Sequence, residues 1–123
     1  MFEIDTVTKQ ISVTRGDTCS IPIKIRIGEE QYYTFKIGDI VSFSIYDRKG
    51  YDKDPYLLKE INVEEETEVV YINLSTIDTR FGDVINKPKE YWYEIELNNN
   101  QTVLGYDDKG PKIFMLYPEG GEN

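Results

Sequence analysis

Apolar and polar residues alternate along much of this chain. Residues 20–27 read Ser-Ile-Pro-Ile-Lys-Ile-Arg-Ile, which sets Ile21, Ile23, Ile25 and Ile27 on one face and Pro22, Lys24 and Arg26 on the other. A period of two marks a half-buried antiparallel strand, and Pro22, which cannot donate to a ladder, puts the start of this one at a sheet edge. The same alternation recurs in Val41, Phe43 and Ile45, in Val70, Ile72 and Leu74, and in Tyr91, Tyr93, Ile95 and Leu97. In the last run Trp92, Glu94 and Glu96 take the opposite face. Weaker strand signals cover residues 11–14, 31–35, 57–63, 102–106 and 112–117.

Turn chemistry separates these runs. Gly28-Glu29-Glu30, Asn98-Asn99-Asn100 and Asp107-Asp108-Lys109-Gly110-Pro111 each fall between strand candidates, where glycine, asparagine and aspartate supply the backbone freedom or local hydrogen bonds of a turn. Only residues 75–81 break the pattern. Ser75 followed by Asp78 is a weaker relative of the capping box, and Gly82 stands where a helix would end. We read a single helical turn there, crossing between sheets. No pattern supplies the long crossovers that a parallel sheet needs. The expectation is an all-β, two-sheet antiparallel sandwich of seven to nine strands over residues 1–117, followed by a flexible tail at 118–123. Ile23, Ile25, Val41, Phe43, Ile45, Ile72, Leu74, Tyr93, Ile95 and Leu97 should form its core.

Composition agrees. The 123 residues suffice for one domain. Alanine is absent, while Val, Ile, Thr and aromatic residues make up 48 positions, a mix that favours sheet over helical bundle. No apolar run approaches the roughly 18 residues of a membrane span, and no signal-type apolar stretch follows Met1. The single cysteine, Cys19, has no internal partner for a disulfide, which fits a reducing compartment.

The net charge is −9, and it sits almost wholly in the second half. Residues 1–60 carry 10 acids and 9 bases, whereas residues 61–123 carry 13 acids and 5 bases. A surface of this sign repels nucleic-acid backbones and anionic membranes, so neither is an expected partner. A basic protein surface is the complementary alternative.

Chemistry-bearing groups are few. Histidine is absent, which removes the commonest general base and the commonest zinc ligand. Asp47, Asp52 and Asp54 share one loop, and Asp107 and Asp108 another, but the calcium-loop spacing is missing and Arg48, Lys49 and Lys53 dilute the charge. Glu64, Glu65, Glu66 and Glu68 read as a charged hairpin tip, since paired catalytic carboxylates must project from rigid elements about 5–10 Å apart. Cys19 reads as a small buried apolar residue. No catalytic residue, cofactor or metal is expected. Arg15-Gly16-Asp17 matches an adhesion tripeptide, yet its place between two strands makes it a structural turn built on Gly16. Trp92, with Glu94 and Glu96 beside it, is the candidate interface, because a partly exposed Trp on a sheet can anchor a protein contact or stack on a sugar.

Four stretches also resemble a known group. Ile11-Ser-Val-Thr-Arg-Gly-Asp-Thr18, Tyr33-Thr-Phe-Lys-Ile-Gly-Asp-Ile-Val-Ser-Phe43, Ile77-Asp-Thr79 and Tyr91-Trp-Tyr-Glu-Ile-Glu-Leu97 are similar to the immunoglobulin-like N-terminal domain of upper baseplate proteins from phages and prophages of Gram-positive bacteria. The resemblance spans most of residues 11–117. It implies an immunoglobulin-like sandwich and a non-enzymatic tail or baseplate module. Such a module would act by contact with other virion proteins or by self-association, present in the host cytoplasm during assembly and then in the virion. Two other classes stay open at this point: a carbohydrate-binding sandwich using Trp92 and nearby tyrosines, and an acidic inhibitor or regulator of a basic host protein.

Overall fold

The structure, a computed structural model, describes residues 1–48, 50, 51 and 53–120. It is all-β, with one short 3-10 segment at Asp78–Arg80. The strands are β1 (Phe2–Ile4), β2 (Ile11–Thr14), β3 (Cys19–Ile23), β4 (Arg26–Gly28), β5 (Gln31–Tyr32), β6 (Ile40–Tyr46), β7 (Leu57–Asn62), β8 (Val70–Leu74), β9 (Lys89–Leu97), β10 (Gln101–Leu104) and β11 (Lys112–Tyr117). Seven of them form one sheet in the order β1-β2-β11-β9-β6-β7, with β10 also on β9; β3 pairs with β8 and β4 with β5 in two small sheets. Two sheets and only antiparallel neighbours were expected; the described residues instead form three sheets, and the β2–β11 pairing is parallel. No helix among the described residues is long and apolar enough to cross a membrane.

The long strand β9 organises the large sheet. One edge pairs with β6, from Val41↔Leu97 to Tyr46↔Trp92. The other edge is shared by two strands running the same way: β10 covers Ile95–Leu97, and β11 covers Lys89–Tyr93. Inward side chains of β6, β9 and β11 (Phe43, Tyr93 and Phe114 among them) are almost fully buried. They join Ile21, Ile23, Val70, Ile72 and Leu74 of the β3–β8 sheet in a single core. Of the expected core residues, all are buried except Ile25, which is half-buried. Removing a ring such as Phe43 from this core costs about 3–5 kcal/mol.

Several elements differ from expectation. The alternating run 20–27 is not one strand: it stops at Ile23 and restarts as β4, a ribbon paired only with β5, so Ile27 is 62% exposed. Within residues 31–35 only Gln31 and Tyr32 are strand, while Phe35 is fully buried and bridges to Thr67. That bridge also corrects the reading of the acidic run. Residues 64–68 are not a hairpin tip, because β7 lies in the large sheet and β8 in a small one; the run crosses between them. The described strands number eleven rather than seven to nine: β1 is additional to those expected, and the run 20–27 supplies two strands, β3 and β4. Glu119, in the expected tail, is bound by Arg80 (Nε to Oε2, 3.2 Å). Residues 121–123 of that tail lie outside the described residues.

Two hydrogen-bonded knots fix the loops. At the first, the Ser75 amide donates to Asp78 Oδ2 (2.8 Å) and the Asp78 amide to Ser75 Oγ (3.1 Å). This reciprocal cap presents the fully buried Thr79 to the 15–17 turn. The Gly16 amide donates to Thr79 Oγ1 (2.9 Å), and the Thr79 hydroxyl donates to the Asp17 carbonyl (2.8 Å). At the second, Asp39 accepts from the Tyr33 hydroxyl (2.7 Å), the Lys36 amide (2.9 Å) and Asn98 Nδ2 (3.1 Å). Asn98, held at φ 53°, also accepts from the Ile40 amide (2.8 Å). The Lys36 amide above all, with the Tyr33 hydroxyl, holds the Asp39 carboxyl below its ordinary value.

Two outcomes follow. Gly16 sits at φ +88°, where a β-branched side chain is strained, so Gly16→Val should lower unfolding stability by about 1–2 kcal/mol in a urea titration. Asp39, with its pKa depressed when folded, contributes stability that is fully present above its ordinary value of 3.8 and is lost as pH falls through the lower folded value. Asp39→Asn should therefore lower the melting temperature at neutral pH and flatten its fall below about pH 4.

Candidate functional site

The pleat of β9 turns Tyr91, Tyr93, Ile95 and Leu97 into the core and leaves Glu90, Trp92, Glu94 and Glu96 half-buried on the outer face. Cross-strand register builds the rest of this face. Tyr46 lies opposite Trp92, Ser44 opposite Glu94 and Ser42 opposite Glu96. On the other side Ile113 faces Trp92 and Thr102 faces Glu96.

Two loops then fold over it. The chain leaving β6 carries Tyr51 back across the sheet, with its ring centroid 5.2 Å from Tyr46 and 5.2 Å from Trp92. The excursion between β10 and β11 carries Tyr106, 5.7 Å from Trp92 and 6.5 Å from Tyr51. Gly105 lets that excursion lie close to the sheet: a Cβ there would sit 2.9 Å from Thr102 Cγ2 and 3.3 Å from Glu94 Cβ. The four rings form one cluster, and its Tyr46 hydroxyl lies 3.5 Å from Glu94 Oε1.

The electrostatics of the face are unusual. Burial pushes the Glu94 carboxyl up, and the neighbouring Glu96 charge adds to the effect. Burial likewise raises the Tyr51 hydroxyl to about 12, with the Glu94 charge as a further cause. Among the described residues no cation forms a salt bridge with Glu94 or Glu96; on the same face, Glu90 does pair with Arg48 (3.4 Å). Trp92 Nε1 and the Tyr51 hydroxyl are both buried without a hydrogen-bond partner. Native proteins keep few such atoms, since each costs about 1–3 kcal/mol.

The other sequence-derived candidates lie elsewhere. Arg15 is 6% exposed and its guanidinium points inward, donating from Nη2 to the carbonyls of Arg80 (2.8 Å) and Gly82 (3.4 Å). Asp17 accepts from the Met1 amine. Arg15-Gly16-Asp17 is thus a turn whose arginine is turned away from any receptor. Asp107 anchors its own turn through the Lys109 amide (2.9 Å) and Lys112 Nζ (2.8 Å). Asp52 lies outside the described residues, and among the described ones no three Asp, Glu, His or Cys side chains come together. Burial pushes the Cys19 thiol up to about 11, away from the reactive thiolate. Sequence reasoning did not single out Tyr46, Tyr51 or Tyr106. For the latter two, the available signal was a lone aromatic inside or beside a polar loop.

Comparison of the chain with protein-family models, curated proteins and solved structures returns no match.

The unpartnered hydroxyl of Tyr51 gives a direct check. Tyr51→Phe keeps the ring contacts and removes a buried group that has no partner, so its melting temperature should equal or exceed that of the wild type. A clear loss of stability in a thermal melt would mean that the hydroxyl is satisfied in solution.

Proposed function

We propose that this protein is a non-enzymatic assembly module that binds other proteins through the outer face of its large sheet, centred on Trp92. The observation that carries this reading is the face itself. A strand facing water would be expected to show short polar groups there, but β9 shows a Trp within a cluster of tyrosines beside two carboxylates that form no salt bridge with a cation among the described residues. Aromatic clusters rimmed by charge are the usual anchors of protein interfaces. The absence of histidine and the raised thiol of Cys19 leave little means for acid–base or covalent chemistry.

A place in a phage or prophage tail or baseplate is the setting we propose. Its support is the way the stretches of the resemblance meet. Arg15-Gly16-Asp17 is bonded to Thr79 of the Ile77-Asp78-Thr79 stretch, and Gly38-Asp39 is bonded through Asn98 to the end of the Tyr91–Leu97 stretch. These motifs act as a common scaffold. In the same reading, β3 and β8 are the reduced second layer of an immunoglobulin-like sandwich, their buried faces sharing one core with the large sheet. The carbohydrate alternative is less favoured, because a neutral sugar would leave the adjacent Glu94 and Glu96 charges uncompensated.

The test is assembly. Wild-type protein and Trp92→Ala, each first checked for folding by thermal melt, are mixed with the products of the adjacent genes and followed by light scattering. Loss of the anchor should weaken association by about 2 kcal/mol or more, roughly thirtyfold. Unchanged affinity of the mutant would remove Trp92 from the interface. A wild type that stays monomeric and binds no product of flanking tail genes would end the assembly reading.

A further inference from the structure

The face around Trp92 has a chemical bias that narrows its partner. Glu94 and Glu96 project from the same side of β9, two residues apart, close enough that the Glu96 charge adds to the burial that pushes the Glu94 carboxyl up. They stand over Ser44 and Ser42, which are themselves 4% exposed, so their surroundings are only partly wet. No cation among the described residues forms a salt bridge with either. Glu90, farther along the same strand, already has Arg48. Two adjacent carboxylates left without a counter-charge against low-dielectric walls repel each other, and a cation placed on them removes that cost.

The walls favour one kind of cation. The Tyr46 hydroxyl lies beside Glu94, Tyr46 clusters with Tyr51, Trp92 and the exposed Tyr106, and ring faces attract cations, a guanidinium more often than an ammonium. A guanidinium also presents several donors in one plane, enough to reach both carboxylates while lying flat on a ring; an ammonium is more strongly hydrated and does neither as well.

We infer that the outer face of β9 is a receptor for an arginine side chain on a partner protein, with Glu94 and Glu96 holding the guanidinium and Tyr46, Trp92 and Tyr106 flanking it. This rests on the assembly reading above and specifies its partner. The acidic balance of residues 61–123, which contribute the whole of β9, agrees in sign with a basic segment docking there.

Because Trp92 is the sole tryptophan, its fluorescence reports on the site directly. The full chain is titrated with a short peptide carrying one central arginine, with the same peptide carrying citrulline, its neutral isostere, and with the lysine version. Arginine should give a saturable change, lysine a weaker one and citrulline none. Glu94→Gln and Glu96→Gln should each weaken arginine binding by about tenfold or more, whereas Glu90→Gln should not change it.

Glu94→Gln separates a binding role from a structural one. Glu94 carries a raised carboxyl pKa in the folded state, so its ionised form costs stability at neutral pH; the neutral amide should leave the melting temperature equal or higher while binding falls. Citrulline binding as well as arginine, a neutral sugar saturating the signal while arginine is inert, or Glu94→Gln binding at wild-type strength would each overturn the inference. If Trp92→Ala abolishes assembly and Glu94→Gln leaves it intact, the contact face stands and only the arginine assignment falls. If both mutants assemble normally, both fall.

Discussion

The pleat of β9 is the constraint on which the molecule depends. Because successive side chains must point to opposite faces, nine residues supply both the middle of the core and the middle of the exposed face. Tyr91, Tyr93, Ile95 and Leu97 bind the sheet to the β3–β8 layer, and their burial makes a one-residue slip prohibitively costly. That rigidity reaches Trp92, Glu94 and Glu96 at no additional cost, since the register holding the apolar set also holds the polar one. The outer cluster is therefore positioned by the core rather than by its own interactions.

Side-chain hydrogen bonds do for the loops what the pleat does for the strands. Thr79, fully buried, offers one hydroxyl to both sides of the Arg15-Gly16-Asp17 turn, and Asp39 gathers a tyrosine, an amide and an asparagine. These polar groups are satisfied, and they close the gaps between sheets at positions where no ladder is available. A contrast emerges with the outer face, where Trp92 Nε1 and the Tyr51 hydroxyl have no partner. The Thr79 hydroxyl and the Asp39 carboxylate are each multiply bonded, whereas these two atoms of the outer face are not.

Much of the fold was legible because burial imposes a period. The alternating segments at 41–45, 70–74 and 91–97 are strands β6, β8 and β9, and the Ser75–Asp78 cap with Gly82 behind it marks the one helical turn. Legibility failed where alternation and burial part company. Ile27 continues the pattern of Ile21, Ile23 and Ile25, yet beyond Ile25, which still packs against the core, the chain pairs locally with β5, so the period persists without a core to face. The acidic run 64–68 looked like a tip because charge alone carries no record of which sheet comes next. At the candidate site, Trp92, Glu94 and Glu96 could be read from the strand that bears them. Tyr51 and Tyr106 could not, because loops fold over a sheet through tertiary contacts that leave no periodic trace.

The division of one β9 edge between β10 and β11 has a consequence for how this surface can diversify. Each of the two short strands is held in its own register, against Ile95–Leu97 and Lys89–Tyr93 respectively, and the segment between them has no ladder to maintain with β9. Apart from Gly105, packed against Thr102 and Glu94, and Asp107, bonded to Lys112, that segment can change in length or sequence without shifting either strand, because neither takes its alignment from the other. The edge behaves as a socket with an exchangeable insert, and Tyr106 belongs to the insert. Related surfaces with different preferences can arise by swapping that segment alone, while the core beneath it stays as it is.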